Sequence, residues 1–177
     1  MRRKRKAAIY YGIGGDYTVN NMLNLLEGSI IMSQKFIQWR QNTSLGLGVN
    51  DAMVGAAAGL YPLTGSGVTL VWNIDLSKNV ILLDQGGQTL ALDYKAGKVA
   101  PEVPLVLSVY NGAPTKSQQW SFTARPGYIT SIANTSLVVD NQGRGTEPGN
   151  PVKAFGFNGS VAQQWVAKDP FEFLRSA

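Results

Sequence analysis

The sequence has 177 residues, of which 44% are hydrophobic and 15% charged, with a net charge of +5, and a chain of this size is expected to form one domain around one core. It contains no cysteine and no histidine. These absences exclude disulfides, thiolate metal sites and Cys or His catalysis, and they weigh against triad hydrolases and zinc enzymes.

The positive charge is concentrated at the start of the chain. Residues 2–6 are all arginine or lysine, whereas the remainder is nearly balanced, so no nucleic-acid partner is expected. The apolar run that follows is interrupted by Gly14, Gly15 and Asp16, so no clear signal peptide is predicted. No stretch reaches the roughly 18 to 20 apolar residues of a membrane span. We expect a soluble protein that is cytoplasmic or exported by another route.

Residues 20–32 carry apolar side chains near helical spacing, although Gly28 interrupts them, and they predict a short helix docked on the body. The apolar positions are Leu23, Leu26, Ile30 and Ile31. We interpret residues 1–34 as a basic N-terminal extension that is partly helical. Its first 31 residues are interpreted as appended or dispensable.

Removal of residues 1–31 is therefore expected to leave the remaining domain folded, because their charge is isolated from a nearly neutral body. Thermal melts of the full and shortened chains test this. A collapse of the melting temperature would show instead that Leu23, Leu26 and Ile30 pack against the body.

Three stretches of the chain are copies of one unit, at residues 36–72, 81–120 and 128–165. The first and third share the run Asn-Thr-Ser-Leu, and the second and third both end in Gln-Gln-Trp. The final tryptophans, Trp72, Trp120 and Trp165, lie 48 and 45 residues apart. Three copies at one period indicate a repeat architecture.

Each copy divides into about four short apolar runs separated by Gly- and Asn-rich turns, which predicts an all-β chain. Three sets of four strands close into a barrel that leaves no long strand edge unpaired. The expected domain covers residues 35–169, with repeats at about 35–75, 79–123 and 127–169. Residues 170–177 form a C-terminal tail.

These motifs resemble the ricin B-type β-trefoil lectins, also described as QxW carbohydrate-binding modules. The resemblance rests on Gln-Gln-Trp in two copies and on Asp93 and Asp140, each of which closes the second strand of its copy. It covers residues 35–169 and is degenerate in the first copy. It implies a β-trefoil of three pseudo-equivalent repeats that binds glycans without cofactor, metal or catalysis, and that could form homo-oligomers for avidity.

The tryptophans at the ends of the copies are interpreted as core residues rather than ligands. An aromatic side chain at equivalent positions in three repeats meets its counterparts most simply at the barrel axis. Trp72, Trp120 and Trp165 should therefore be buried.

In the ricin B-type family each repeat can form a shallow sugar pocket, and the third repeat of this chain has a residue that corresponds to each binding group of that pocket. Asp140 would accept hydrogen bonds from vicinal hydroxyls, and Phe155 would cover the apolar face of the ring. Asn158 and Gln163 would supply amides, and Lys153 occupies a position often held by Gln. A terminal, galactose-like sugar is the expected ligand.

The other two repeats match this pattern less well. In the second, Asp93, Asn111 and Gln118 are present, but the platform position is Ser108 and Tyr110 lies out of phase with it. We predict a weaker second site there. The first repeat, with Gly48 at the Asp position, is expected to lack carboxylate, amide and platform alike.

Two alternatives remain open from the sequence. Asp140 could instead cap a turn into residues 141–143. The whole domain could serve as a protein-interaction or inhibitor scaffold that uses the exposed loops at residues 96–104 and 143–150, with vestigial sugar sites.

Overall fold

Three successive sets of four β-strands make up the computed structural model, which describes residues 33–64, 68–170 and 172. The first set is β1 (Ser33–Trp39), β2 (Asn42–Val49), β3 (Ala58–Pro62) and β4 (Val71–Asp75). The second is β5 (Val80–Gln85), β6 (Gln88–Tyr94), β7 (Leu105–Val109) and β8 (Trp120–Ser121). The third is β9 (Thr130–Ser131), β10 (Leu137–Asn141), β11 (Asn150–Gly156) and β12 (Trp165–Lys168). The helix expected at residues 20–32 lies outside the described residues, as does most of the tail.

The outer strands of the three sets pair with one another to form a barrel. β1 pairs with β12 and β4, β4 pairs with β5, and β8 pairs with β9. Backbone hydrogen bonds from Trp120 to Asn79 (2.7 Å) and from Trp165 to Gly127 (2.8 Å) join the remaining neighbours. The inner strands of each set form the hairpins β2–β3, β6–β7 and β10–β11. The all-β fold is thus a β-trefoil of three four-strand repeats, which confirms the sequence prediction.

The three repeat-ending tryptophans occupy equivalent places in the core. Trp72 and Trp120 are 0% exposed and Trp165 is 3% exposed. Each indole N–H donates to the carbonyl that precedes the Gly48, Asp93 or Asp140 position, so the buried polar group is satisfied. The acceptors are Leu47 (2.8 Å), Leu92 (2.9 Å) and Val139 (3.0 Å). The prediction that these side chains are buried is confirmed.

A loop from each repeat crosses onto the hairpin of the next repeat. Three backbone N–H groups, each 2.8 Å from its acceptor, make these contacts: Gly55 to Leu107, Glu102 to Ala154, and Gly149 to Leu60. The outer surface of every hairpin is therefore built from two repeats. No helix among the described residues is long and apolar enough to cross a membrane.

Candidate functional site

The register of the β10–β11 hairpin brings three predicted site residues onto one outward face. Asp140 pairs with Lys153, and Val138 pairs with Phe155. Because side chains alternate along a strand, Lys153 and Phe155 share the face of Asp140, while Val139 and Ala154 point into the core. A carboxylate, an ammonium group and an aromatic ring thus lie side by side.

Gln163 lies behind Asp140 and is 0% exposed. Its Nε2 donates to Asp140 Oδ2 (3.1 Å) and to the carbonyl of Gly156 (2.9 Å), and its Oε1 accepts from the backbone N–H of Asn158 (2.9 Å). Since its amide bonds inside the protein, Gln163 orients the carboxylate and anchors the adjacent loop. Asp140 bonds to Gln163 instead of capping the turn at residues 141–143.

Asn158 lies on the exposed loop that follows β11. Its Oδ1 accepts from the backbone N–H of Ser160 (2.9 Å), which fixes the side chain in a local turn. Its Nδ2 forms no hydrogen bond with any described residue. This amide can therefore donate to a ligand at the rim of the site.

Lys153 forms an ion pair with Glu102, a residue that the sequence interpretation did not include in the site. Glu102 comes from the second repeat, on the loop that crosses onto β11. The Lys153 side chain is only 13% exposed, and its Nζ lies 5.1 Å from the centroid of the Phe155 ring. The site is therefore shared between two repeats.

The ionisation of Asp140 is affected by these neighbours. Burial raises the pKa of the Asp140 carboxyl above its ordinary value of 3.8, and the charge of Glu102 acts in the same direction. The hydrogen bond from Gln163 and the charge of Lys153 lower it, without cancelling the effect of burial.

The second repeat covers its carboxylate with a serine. Asp93 pairs with Val106, and Ala91 pairs with Ser108, so Ser108 stands where Phe155 stands in the third repeat. The Ser108 hydroxyl donates to Asp93 Oδ2 (2.5 Å) and accepts from Gln118 Nε2 (2.9 Å). Asp93 Oδ1 is buried and has no hydrogen-bond partner among the described residues. Asp93 and Asp140 are equally buried, each 6% exposed, so the two pockets differ in the residue beside the carboxylate and not in its exposure.

The other two residues of the predicted second site lie beyond the hairpin. Tyr110 packs against a small cluster of Val80, Leu82 and Ala91, and its hydroxyl donates to the carbonyl of Gly112 (2.9 Å). Asn111 is exposed beside it. No aromatic ring stands at the platform position of this repeat.

The first repeat has an aromatic residue at the platform position, which corrects the expectation that it has none. Gly46 pairs with Tyr61, and Gly48 pairs with Gly59, so Tyr61 is equivalent to Phe155. The missing group is the carboxylate. A Cβ atom at Gly48 would lie 2.6 Å from Leu70 Cδ2 and 2.9 Å from the carbonyl oxygen of Thr69. Neighbouring residues now fill this position.

Gly48→Ala is therefore expected to destabilise the protein by about 1 to 3 kcal/mol, because the added methyl overpacks a site bounded partly by backbone. Chemical denaturation measures the change. Gly156→Ala is the matched control, since its Cβ would meet nothing within 4 Å. A Gly48→Ala protein as stable as the control would contradict the steric explanation.

A separate depression of about 540 Å³ lies beside β12. It is lined by Arg40, Thr43, Phe122, Gly127, Trp165, Val166 and Ala167. It contains no carboxylate to accept hydrogen bonds from sugar hydroxyls. Within the described ranges, no cluster of three or more Asp, Glu, His or Cys side chains is placed to hold a metal ion.

Comparisons with known proteins agree with the fold. No family model and no curated protein matches the sequence. Among solved structures, the designed three-fold symmetric protein ThreeFoil is 21% identical with a TM-score of 0.62, over 77% of this chain and 98% of ThreeFoil. The C-terminal half of the earthworm R-type lectin, solved with GalNAc, is 14% identical with a TM-score of 0.58, over 77% of this chain and 98% of that one.

A third similar structure is an enzyme, the exo-β-1,3-galactanase of Clostridium thermocellum. It is 22% identical with a TM-score of 0.62, and the match covers 77% of this chain. This chain spans 30% of the galactanase. At these identities the likenesses establish the β-trefoil fold.

Proposed function

We propose that the protein is a carbohydrate-binding, lectin-like module that recognises a terminal, galactose-like sugar, mainly through the third repeat. The observation that carries the proposal is Asp140 on the outer face of the hairpin, 6% exposed, which a fully buried Gln163 holds in place beside Phe155. The earthworm lectin half, which shares this fold, was solved with GalNAc. Pre-organised groups of this kind lower the cost of binding.

The groups match the two kinds of surface that a pyranose presents, its hydroxyl groups and its apolar C–H face. Asp140 accepts hydrogen bonds from two adjacent hydroxyls, and the ring of Phe155 packs against the apolar C–H face. The free Nδ2 of Asn158 donates at the rim. Lys153 and Glu102 border the same face through their ion pair.

A single shallow pocket of this kind binds one sugar weakly, with a dissociation constant on the order of millimolar. Useful affinity then needs several pockets on one assembly or a dense glycan surface. We therefore propose glycoconjugates as partners, with homo-oligomers as one route to avidity.

Binding without catalysis is proposed because the site lacks a second free carboxyl group. Glycoside hydrolysis uses two carboxyl groups that flank the scissile bond. Beside Asp140 the nearby acidic residue is Glu102, and its carboxylate is paired with Lys153. The match to the galactanase covers only part of that enzyme.

An alternative is a protein-interaction scaffold. The loop between β2 and β3 exposes Met53 by 61% and Val54 by 51%, and adjacent exposed apolar side chains favour contact with a protein. The loops at residues 96–104 and 143–150 would extend this surface. In that case the sugar pocket would be vestigial.

Glycan-array binding competed by free sugar distinguishes these two functions. The proposal expects binding to glycans with one shared terminal sugar, and its loss when that sugar is added free. Absence of binding to any glycan would reject the lectin function and leave the scaffold.

Sugar binding should weaken on acidification at a higher pH than an ordinary aspartate would give, because burial raises the pKa of Asp140 and protonation removes an acceptor. Fold stability changes in the opposite sense. A carboxyl whose folded-state pKa is raised stabilises the fold below the ordinary value of 3.8, and that contribution is lost as the pH rises through the raised pKa. Titrations of the wild-type protein test the first sign, and melts of the wild-type protein beside Asp140→Asn test the second, because the lowered pKa of Asp75 changes the stability of both proteins in the opposite sense. A wild-type protein that loses stability relative to Asp140→Asn on acidification would contradict this account.

A further inference from the structure

Glu102 occupies a turn position that is glycine in the other two repeats. Gly55, Glu102 and Gly149 are spaced 47 residues apart. Each donates its backbone N–H across 2.8 Å to the equivalent hairpin strand of the next repeat. Their φ angles are +87°, +66° and +84°. The three residues are therefore structurally equivalent.

This position favours glycine for a physical reason. Pro101-Glu102 and Pro148-Gly149 are the central pairs of corresponding turns, and a Pro-Gly pair is typical of a turn whose third residue has positive φ. A side chain at positive φ is strained, because its Cβ crowds the backbone. Asn79, Ala96 and Arg144 also have positive φ, so the contacts of the glutamate side chain, rather than the strain alone, indicate its role.

The Glu102 side chain reaches into the candidate site of the third repeat. Its carboxylate pairs with Lys153, whose Nζ lies over the ring of Phe155. Its charge also acts on Asp140, since it is one of the groups that raise the pKa of that carboxyl. Glu102 is therefore close enough to influence what binds on this face.

The charges around the site favour an uncharged ligand. Asp140 and Glu102 carry two negative charges against the single positive charge of Lys153. The ammonium is already neutralised by Glu102 and is only 13% exposed. Among these three charged groups a ligand carboxylate would find no unpaired cation and would face a net negative charge, and such like-charge contacts disfavour a wrong partner.

We propose that Glu102 is a specificity residue, which makes the third-repeat site select neutral hexoses and reject sugars that carry a carboxylate, such as uronic acids. This inference rests on the proposed function. Without Glu102, the Lys153 ammonium is released beside the sugar face and can pair with a uronate carboxylate. The strained turn thus places a negative charge where a neighbouring repeat would otherwise present only backbone.

The test is binding to surfaces that densely display two matched sugar pairs, galactose with galacturonic acid and glucose with glucuronic acid, because avidity keeps tenfold weaker binding measurable. The wild-type protein should bind the neutral member of at least one pair and the acidic member at least roughly tenfold more weakly. Glu102→Gln and Glu102→Gly should reduce the ratio of neutral-sugar affinity to acidic-sugar affinity by roughly tenfold, mainly because the acidic sugar binds more tightly. Glu102→Gly also relieves the positive-φ strain, so it provides a folded variant if Glu102→Gln is unstable.

Glu147→Gln is the matched control, because Glu147 is exposed on the corresponding loop of the third repeat, which crosses onto the first repeat. The ratio of neutral-sugar affinity to acidic-sugar affinity of this variant should equal that of the wild-type protein. If the neutral sugar binds but both Glu102 variants keep the wild-type ratio, Glu102 is not a specificity residue and the proposed function stands. If neither member of either pair binds, both the specificity role and this sugar site are rejected.

Discussion

Replacement of Trp120 by alanine is expected to lower the free energy of unfolding by about 3 to 5 kcal/mol. The side chain is 0% exposed and stacks on Tyr94 with ring centroids 5.1 Å apart and planes 15° apart. Its indole N–H also donates to the carbonyl of Leu92 (2.9 Å). Truncation therefore leaves a large cavity and removes the hydrogen bond of a buried carbonyl. Equilibrium unfolding in urea measures the loss.

Two further variants separate the causes. Trp120→Phe keeps an aromatic ring but removes the N–H donor, so its destabilisation should lie between that of the wild-type protein and that of Trp120→Ala. Leu76→Ala is the surface control, since Leu76 is 60% exposed, and should change stability by no more than about 0.5 kcal/mol. A Trp120→Ala effect as small as that of the control would mean that the tryptophans do not hold the repeats together.

The fold could be predicted from the sequence because its repeat-ending tryptophans are large and regularly spaced. Each indole must reach the carbonyl of one particular residue, Leu47, Leu92 or Val139, so both the spacing and the neighbouring Gly or Asp position are constrained together. The ends of the domain carry no comparable constraint. The boundaries proposed at residues 35 and 169 therefore remain predictions.

Part of the candidate site could be predicted from the sequence, for a related reason. Side chains two residues apart on one strand share a face, so Lys153 and Phe155 could be placed together from their spacing. Tyr61 was missed because its equivalence to Phe155 depends on register with β2, which the degenerate first repeat obscures. Glu102 was missed because it reaches the site from another repeat. Its signal was the 47-residue spacing to Gly55 and Gly149.

The hydrogen-bond partners of individual polar groups could not be predicted from the motif alone. Gln118 and Gln163 occupy the same motif position, yet Gln163 bonds directly to Asp140 whereas Gln118 reaches Asp93 through the hydroxyl of Ser108. The difference arises from one residue on the facing strand. A serine is short enough to bond the carboxylate itself, whereas a phenylalanine has no hydroxyl to do so and places an apolar ring beside it.

This difference ranks the two pockets and gives the second prediction, that Asp140→Ala abolishes sugar binding while Asp93→Ala preserves it. Removal of a charged acceptor costs about 1.5 to 3 kcal/mol, or roughly 10- to 150-fold in affinity. From a millimolar starting point, single-sugar binding then becomes undetectable. Binding to a dense glycan surface extends the measurable range, because avidity raises the starting affinity.

Asp140→Asn shows whether any loss arises at the site or from unfolding. Asparagine fills the same space and can still accept from Gln163, but it carries no charge that burial disfavours. It should therefore melt at or above the wild-type temperature while binding sugar far more weakly, because a neutral amide is a poorer acceptor for hydroxyls. If Asp93→Ala abolishes binding and Asp140→Asn retains it, the second repeat holds the functional pocket, and the serine-covered carboxylate must open to admit the ligand.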